Sequence, residues 1–136
     1  MFNYTVAMKK IITSILSTLG FIGCCPAEIT SGNPQFVFVR IPEQIQPLDR
    51  SAKYEDPLDI VLKNEKVGEV SGGGSLLSAP DADGKRAIEW IGIDVNLSDF
   101  EMGMPILKRE LLRLGAPSDT VLEYTRDSKK IEELLH

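Results

Sequence analysis

The chain has 136 residues, which is enough for one domain and too few for two domains of ordinary size. Hydrophobic residues make up 43% and charged residues 26% of the sequence, a balance that is typical of globular proteins and argues against general disorder. The formal net charge of −5 at pH 7 disfavours binding to nucleic acid and to anionic lipid headgroups, because both favour a basic protein surface.

The most concentrated apolar run of the sequence lies near the N-terminus. Lys9 and Lys10 precede an uncharged stretch over residues 11–23, and small residues follow it. This order is the layout of a secretory signal peptide, with Met8 as its predicted first residue. A run of about 13 residues is too short for a helix that spans a bilayer, which needs about 20.

The end of this run, FIGC over residues 21–24, resembles the lipobox of bacterial lipoproteins. The resemblance covers residues 8–24 and implies that Cys24 carries a diacylglycerol group and becomes the N-terminal residue after cleavage. It also implies a lipoprotein of the bacterial cell envelope, whose lipid anchor, including palmitate, holds it at a membrane. The alternatives are a signal peptide cleaved near Ala27, which predicts a secreted or periplasmic protein, and a cytoplasmic protein without a signal peptide.

Cysteine and histidine are nearly absent from the rest of the chain. Cys24 and Cys25 are the only cysteines, and adjacent cysteines rarely bridge each other, so no disulfide is expected in the domain. The single histidine is His136, the last residue. Zinc sites built from His and Cys are therefore excluded, as are Ser-His-Asp and Cys-His catalytic arrangements. We expect neither metal nor cofactor, and favour a non-catalytic protein.

Three parts of the chain follow from these patterns: a signal peptide over 1–23, the lipidated cysteine with a tether over 24–35, and one domain over 36–136. The predicted elements of the domain are a strand over 36–41, a loop over 42–55, a helix over 56–68, a strand over 69–78, a strand over 87–97, a helix over 98–115, a strand over 120–125 and a short terminal helix over 127–136. This order predicts an α+β fold of the ferredoxin-like, split βαβ type, with an antiparallel sheet and helices on one face.

The third predicted strand has the clearest pattern. Its residues Ile91 and Val95 fall on one face, whereas Trp90 and Asp94 fall on the other. The next segment, SDFE over residues 98–101, matches a capping box and predicts that a helix begins there, with Ser98 as its N-cap.

Three consecutive glycines, Gly72, Gly73 and Gly74, lie in the second predicted strand. A phosphate-binding loop places its glycines before a helix and supplies a lysine, whereas here a hairpin follows and no such lysine is present. We therefore interpret the glycines as a bulge or bend. In the ferredoxin-like order this strand lies at an edge of the sheet, where the strand of a partner can add.

Two hypotheses about function use different residues. In the first, a protein or peptide partner contacts the three glycines and an exposed aromatic patch of Trp90 and Tyr124. An inhibitor or immunity-type role of this chain is one version of this hypothesis. In the second, a small enzyme or small-ligand-binding domain uses carboxylates near the glycines, and the candidates are Glu69, Asp94 and Glu123. The acidic composition and the export signal oppose nucleic acid as a ligand.

Four segments of the domain, YEDPLD, GEVSGGGS, IGIDV and LGAP with TVLEY, resemble a group of small bacterial proteins to which no function is attached. The resemblance spans most of residues 36–125. It implies one coherent domain and implies no chemistry.

Overall fold

A computed structural model describes residues 34–136, and the predictions for the signal peptide, Cys24 and most of the tether lie outside this part of the chain. The elements are β1 Gln35–Ile41, α1 Pro47–Arg50, α2 Asp56–Asn64, β2 Gly68–Leu77, β3 Ile88–Leu97, α3 Phe100–Arg113, β4 Val121–Arg126 and β5 Lys129–Leu134. Among these residues, no helix has both the length and the hydropathy that crossing a membrane requires.

The five strands form one antiparallel sheet in the order β2-β3-β1-β4-β5. β1 lies at the centre between β3 and β4, and β2 and β5 are the two edges. The predicted α+β class with an antiparallel sheet is confirmed, and so is the edge position of the second strand.

The core lies between the sheet and the helices α2 and α3. Side chains along β1 and β3 point alternately to the two faces of the sheet, so every second one is buried in the core, as the sequence pattern of β3 predicts. The buried apolar residues of the strands are Val37, Val39, Ile41, Ile88, Ile91, Ile93, Val95, Leu97 and Leu122. The helices oppose them with Leu58, Leu62, Leu107 and Leu111. Each such side chain contributes about 1.5–3 kcal/mol on burial. No described helix covers the opposite face, which we call the open face.

The prediction of a loop over residues 42–55 is wrong for its second half. Helical backbone begins at Pro47, because proline suits the first position of a helix, and continues through a π-helical segment, Ser51–Glu55, into α2. This segment buries Tyr54, whose hydroxyl donates to Glu43 Oε2 at 2.9 Å. Burial raises the pKa of Tyr54 to about 12, so the phenol stays neutral.

The predicted terminal helix is also wrong, since residues 129–134 form strand β5. Asp127 and Ser128 have φ values of 51° and 65°, which make the tight two-residue turn that joins β4 to β5. Pairing with β4 and burial of Leu135 outweigh the helix-favouring composition of this segment.

The N-cap of α3 is Asp99, one residue after the predicted Ser98. Asp99 has extended backbone, and its Oδ1 accepts a hydrogen bond from the Met102 backbone N–H at 3.1 Å. The Ser98 N–H instead donates to the Val67 carbonyl at 2.8 Å, which ties the end of β3 to the residue before β2. The helix therefore begins one residue later than the capping-box pattern predicts.

Helix α2 protects the first part of the β2 edge. The Oδ1 atom of Asp59 accepts a hydrogen bond from the Val70 backbone N–H at 2.9 Å, and its Oδ2 lies 2.9 Å from Lys63 Nζ. Burial opposes the charge of Asp59, but the hydrogen bonds from Lys63 and Val70 outweigh it and lower the pKa of this carboxyl below 3.8.

We expect Asp59→Ala to lower the free energy of unfolding by about 1–2 kcal/mol at pH 7, because a hydrogen bond to a charged group is lost. Lys63→Ala is the matched control: it removes only the exposed ion pair and should cost less. Because the folded pKa is lowered, the contribution of Asp59 is present above 3.8 and is lost as the pH falls through the folded value. Urea unfolding at pH 7 and pH 3 measures both effects; an Asp59→Ala cost that does not shrink at pH 3 would contradict this account.

Candidate functional site

A bulge interrupts β2 directly before its glycines. The pairing of β2 with β3 shifts register between Val70 and Gly72, which leaves Ser71 as the extra residue. The Ser71 hydroxyl donates to the Asp94 carbonyl at 3.3 Å. The sequence predicts a bulge or bend at the glycines themselves, but the bulge lies one residue earlier, and Gly72, Gly73 and Gly74 pair with consecutive residues of β3.

Gly73 makes room for an ion pair. A Cβ at this position would meet Glu55 Oε2, and it would lie 2.8 Å from the Gly92 carbonyl oxygen and 3.1 Å from Arg50 Nε. Arg50 Nε donates to Glu55 Oε2, and Arg50 Nη1 donates to Ser75 Oγ at 3.2 Å. The buried Arg50 thus connects the helical stretch to the edge strand through the space that Gly73 leaves.

The two neighbouring glycines have a different environment. A Cβ on Gly74 would meet nothing within 4 Å, and one on Gly72 would lie 3.6 Å from Asp94 Oδ2. Neither has the positive φ that only glycine adopts easily. Gly72 and Gly74 therefore expose backbone along the edge without being required by the local conformation.

The two edges of the sheet differ in charge. β5 has four charged side chains among its six residues, which is how natural proteins prevent unwanted strand pairing. β2 has one, Glu69, among its ten residues. Asp59 covers the N–H of Val70. Residues Gly72–Leu77 have no charged side chain, and no side chain of the described residues forms a hydrogen bond to their backbone. We call residues 72–77 the uncharged edge.

A groove of about 610 Å³ runs beside the uncharged edge on its helix side. It is bounded by residues before and within α1, by the end of β2 and by the start of β3 with the residues before it. The lining side chains with polar atoms are Gln44, Gln46, Arg50, Ser75 and Arg86. None of the described residues that line the groove is acidic.

The open face carries aromatic side chains near the same edge. Phe38 and Trp90 pack edge to face, with ring centroids 5.9 Å apart, and the Arg40 guanidinium lies 5.9 Å from the Trp90 ring centroid. Leu76 of β2 lies opposite Trp90 in the register and is 41% exposed.

Tyr124 is not part of this cluster. It pairs in register with a buried residue of β1, on the helix side of the sheet, and its ring centroid lies 5.0 Å from that of Phe100. The structure therefore places Trp90 beside the edge and keeps Tyr124 apart from it.

The three candidate carboxylates lie on the open face but do not converge. Asp94 and Glu123 both lie opposite Phe38, on either side of β1, which separates their backbones by about 10 Å. Glu123 is held by Arg40 at 3.2 Å and by Lys130 at 3.0 Å. Glu69 lies opposite Asn96, near the start of β2. Within residues 34–136, no group of three or more His, Cys, Asp or Glu side chains could hold a metal ion.

Reasoning from sequence missed Arg50, Glu55 and Arg86. The first two are five residues apart, a spacing that does not bring side chains together on an α-helix but does so across a π-helical turn. No signal in the sequence identifies that turn. Arg86 belongs to the predicted hairpin loop, where a basic side chain gives no sign of lining a groove.

Comparison with known proteins adds little. No family model and no curated protein matches the sequence. Among solved structures, a phage SAM lyase in complex with S-methyl-5′-thioadenosine is similar, with a TM-score of 0.42 and 8% sequence identity over 81% of this chain and 96% of that chain. At this TM-score and identity the likeness carries no argument about the function of the chain.

We expect Gly73→Ala to lower the free energy of unfolding by about 1–3 kcal/mol, because the added methyl group displaces the Arg50–Glu55 pair or the Gly92 carbonyl. Gly74→Ala is the matched control, since its methyl group has open space, and it should be neutral or slightly stabilising. Urea unfolding of both variants tests this, and equal stabilities would show that the space at Gly73 is not needed.

Proposed function

We propose that residues 34–136 form a non-catalytic module that binds a protein or peptide partner by adding a strand of the partner to β2. The observation that carries this proposal is the uncharged edge, whose backbone is bare at Gly72 and Gly74 while the opposite edge is charged. Strand addition uses main-chain hydrogen bonds for affinity and side-chain pockets for specificity. The groove beside Ser75 provides such a pocket on the helix side, and the exposed Leu76 next to Trp90 provides an apolar contact surface on the open face.

We also propose that the domain is a ferredoxin-like split βαβ fold extended by one strand. The order of the first four strands across the sheet, β2-β3-β1-β4, supports this, as do their antiparallel pairings and the helical segments after β1 and β3. The helical region between β1 and β2 is longer than in the simplest version, since α1 and the π-helical segment precede α2.

The third part of the proposal concerns location. The basic pair, apolar run and FIGC segment over residues 8–24 support a lipoprotein of the bacterial cell envelope, anchored through Cys24. Without residues 1–23 the chain has 13 basic and 20 acidic side chains, a formal charge near −7, so the lipid and not the protein surface would hold it at an anionic membrane.

A photo-cross-linking amino acid at position 76 or 134 tests strand addition. Leu76 and Leu134 are both exposed leucines, 41% and 50%, and both lie on the open face of an edge strand. We expect a reproducible adduct with another protein or peptide from position 76 in cells that produce the chain, and none above background from position 134. Equal labelling from both positions, or adducts with a second copy alone, would refute binding at the β2 edge.

Labelling with radioactive palmitate, together with mass analysis of the mature N-terminus, tests the anchor. We expect Cys24→Ala to abolish the label and Cys25→Ala to retain it, because only the cysteine at the cleavage junction receives the diacylglycerol. Label that is retained in Cys24→Ala, or absent from the unsubstituted chain, would reject the lipoprotein proposal and leave strand addition unaffected.

A further inference from the structure

The groove beside the uncharged edge is basic, although the domain around it is acidic. Residues 34–136 exclude Lys9, Lys10 and Glu28 and carry 13 basic and 19 acidic side chains, a formal charge of −6. The groove contains Arg50 and Arg86 and no acidic lining residue among those described. Its charge is therefore opposite in sign to that of the domain.

Arg50 is fixed in place but retains binding capacity. Its relative exposure is 9%, and its Nε and Nη1 atoms donate to Glu55 and to Ser75 Oγ. Its Nη2 atom makes no hydrogen bond to a described residue and is not among the atoms that are fully buried without a partner. The guanidinium thus keeps Nη2 available to a ligand in the groove while its other two nitrogens hold it rigid, and a hydrogen bond from this cation to a carboxylate is charge-assisted.

Arg86 supplies the second cation. Its side chain is exposed, its Nη1 donates to the Ser78 carbonyl at 3.3 Å, and within residues 34–136 it forms no ion pair with a carboxylate. Arg50 has its charge offset by Glu55, so Arg86 contributes the net positive charge of the groove.

The position of the groove selects a side chain on an added strand. Ser75 pairs in register with the buried Ile91, so it lies on the helix side of β2, where the groove is. Side chains of a strand alternate between the two faces of a sheet, so every second residue of a strand added to β2 lies on this side. We propose that the partner is an extended peptide segment with an Asp or Glu side chain that enters this groove and binds Arg50 and Arg86. This inference rests on the proposed strand addition and names the chemistry of the partner.

A phage-displayed library of random 12-residue peptides, panned on the full-length chain in detergent, tests the inference. Leu76→Lys identifies the peptides that need the uncharged edge, since a lysine there opposes strand pairing. We expect that the peptides that bind the unsubstituted chain but not the Leu76→Lys variant share an Asp or Glu at one position. Replacing this acidic residue of the peptide by Asn or Gln should weaken binding about tenfold.

Arg86→Glu should weaken these peptides by at least about tenfold, whereas Lys85→Glu should not. Lys85→Glu is the matched control, because it changes the net charge equally at the neighbouring position and does not line the groove. Replacing the peptide carboxylate by lysine should restore binding to Arg86→Glu. Arg86 is chosen because it is exposed, so its replacement leaves the internal ties of Arg50 intact.

The outcomes separate the two proposals. If edge-dependent peptides bind equally well after their acidic residue is replaced by Asn or Gln, the proposal of an acidic side chain in the groove is wrong, whereas strand addition is still supported. Peptides that need the carboxylate but bind Leu76→Lys unchanged would overturn the placement on an added strand. A library without any edge-dependent peptide would overturn both.

Discussion

The packing of the Arg50–Glu55 pair against Gly73 is the interaction on which the site depends. A buried charge is costly unless it is paired and hydrogen-bonded, and Arg50 meets this requirement through Glu55 and Ser75. A Cβ at position 73 would meet both members of the ion pair, so the pair occupies this space because residue 73 is glycine. The bonds of Arg50 to Glu55 and Ser75 then connect the helical stretch to the edge strand at the wall of the groove.

The sequence predicts those parts of the fold that repeat with a fixed period. Alternation identifies β3 and its buried face, and the two long helices follow from their apolar spacing. Prediction from sequence fails at Pro47, where a helix begins in a segment that reads as a loop. It fails again at residues 129–134, which form a strand although their composition favours a helix. At Pro47 the decisive factor is the first position of a helix, which suits proline. At residues 129–134 it is the pairing of β5 with β4. Neither factor changes the spacing of apolar residues along the sequence.

The site is less predictable than the fold, for a related reason. The edge position of β2 follows from the order of elements, and the bulge lies one residue before the glycines at which it is predicted. The groove, in contrast, requires Arg50 and Glu55 to meet across a π-helical turn. The aromatic candidates show the same limit. Trp90 lies beside the edge, but Tyr124 points to the helix side of the sheet because the register of β4 with β1 sets its face.

The charged strand β5, joined to β4 by its tight turn, has a consequence for assembly. A sheet that can pair at both edges can extend without limit, as fibrils do, whereas a sheet with one protected edge can accept a single neighbour. The lysines and glutamates of β5 oppose pairing at that edge, whereas residues 72–77 of β2 carry no charge. With strand addition at β2 alone, as we propose, this chain stands at one end of the combined sheet and does not extend it further.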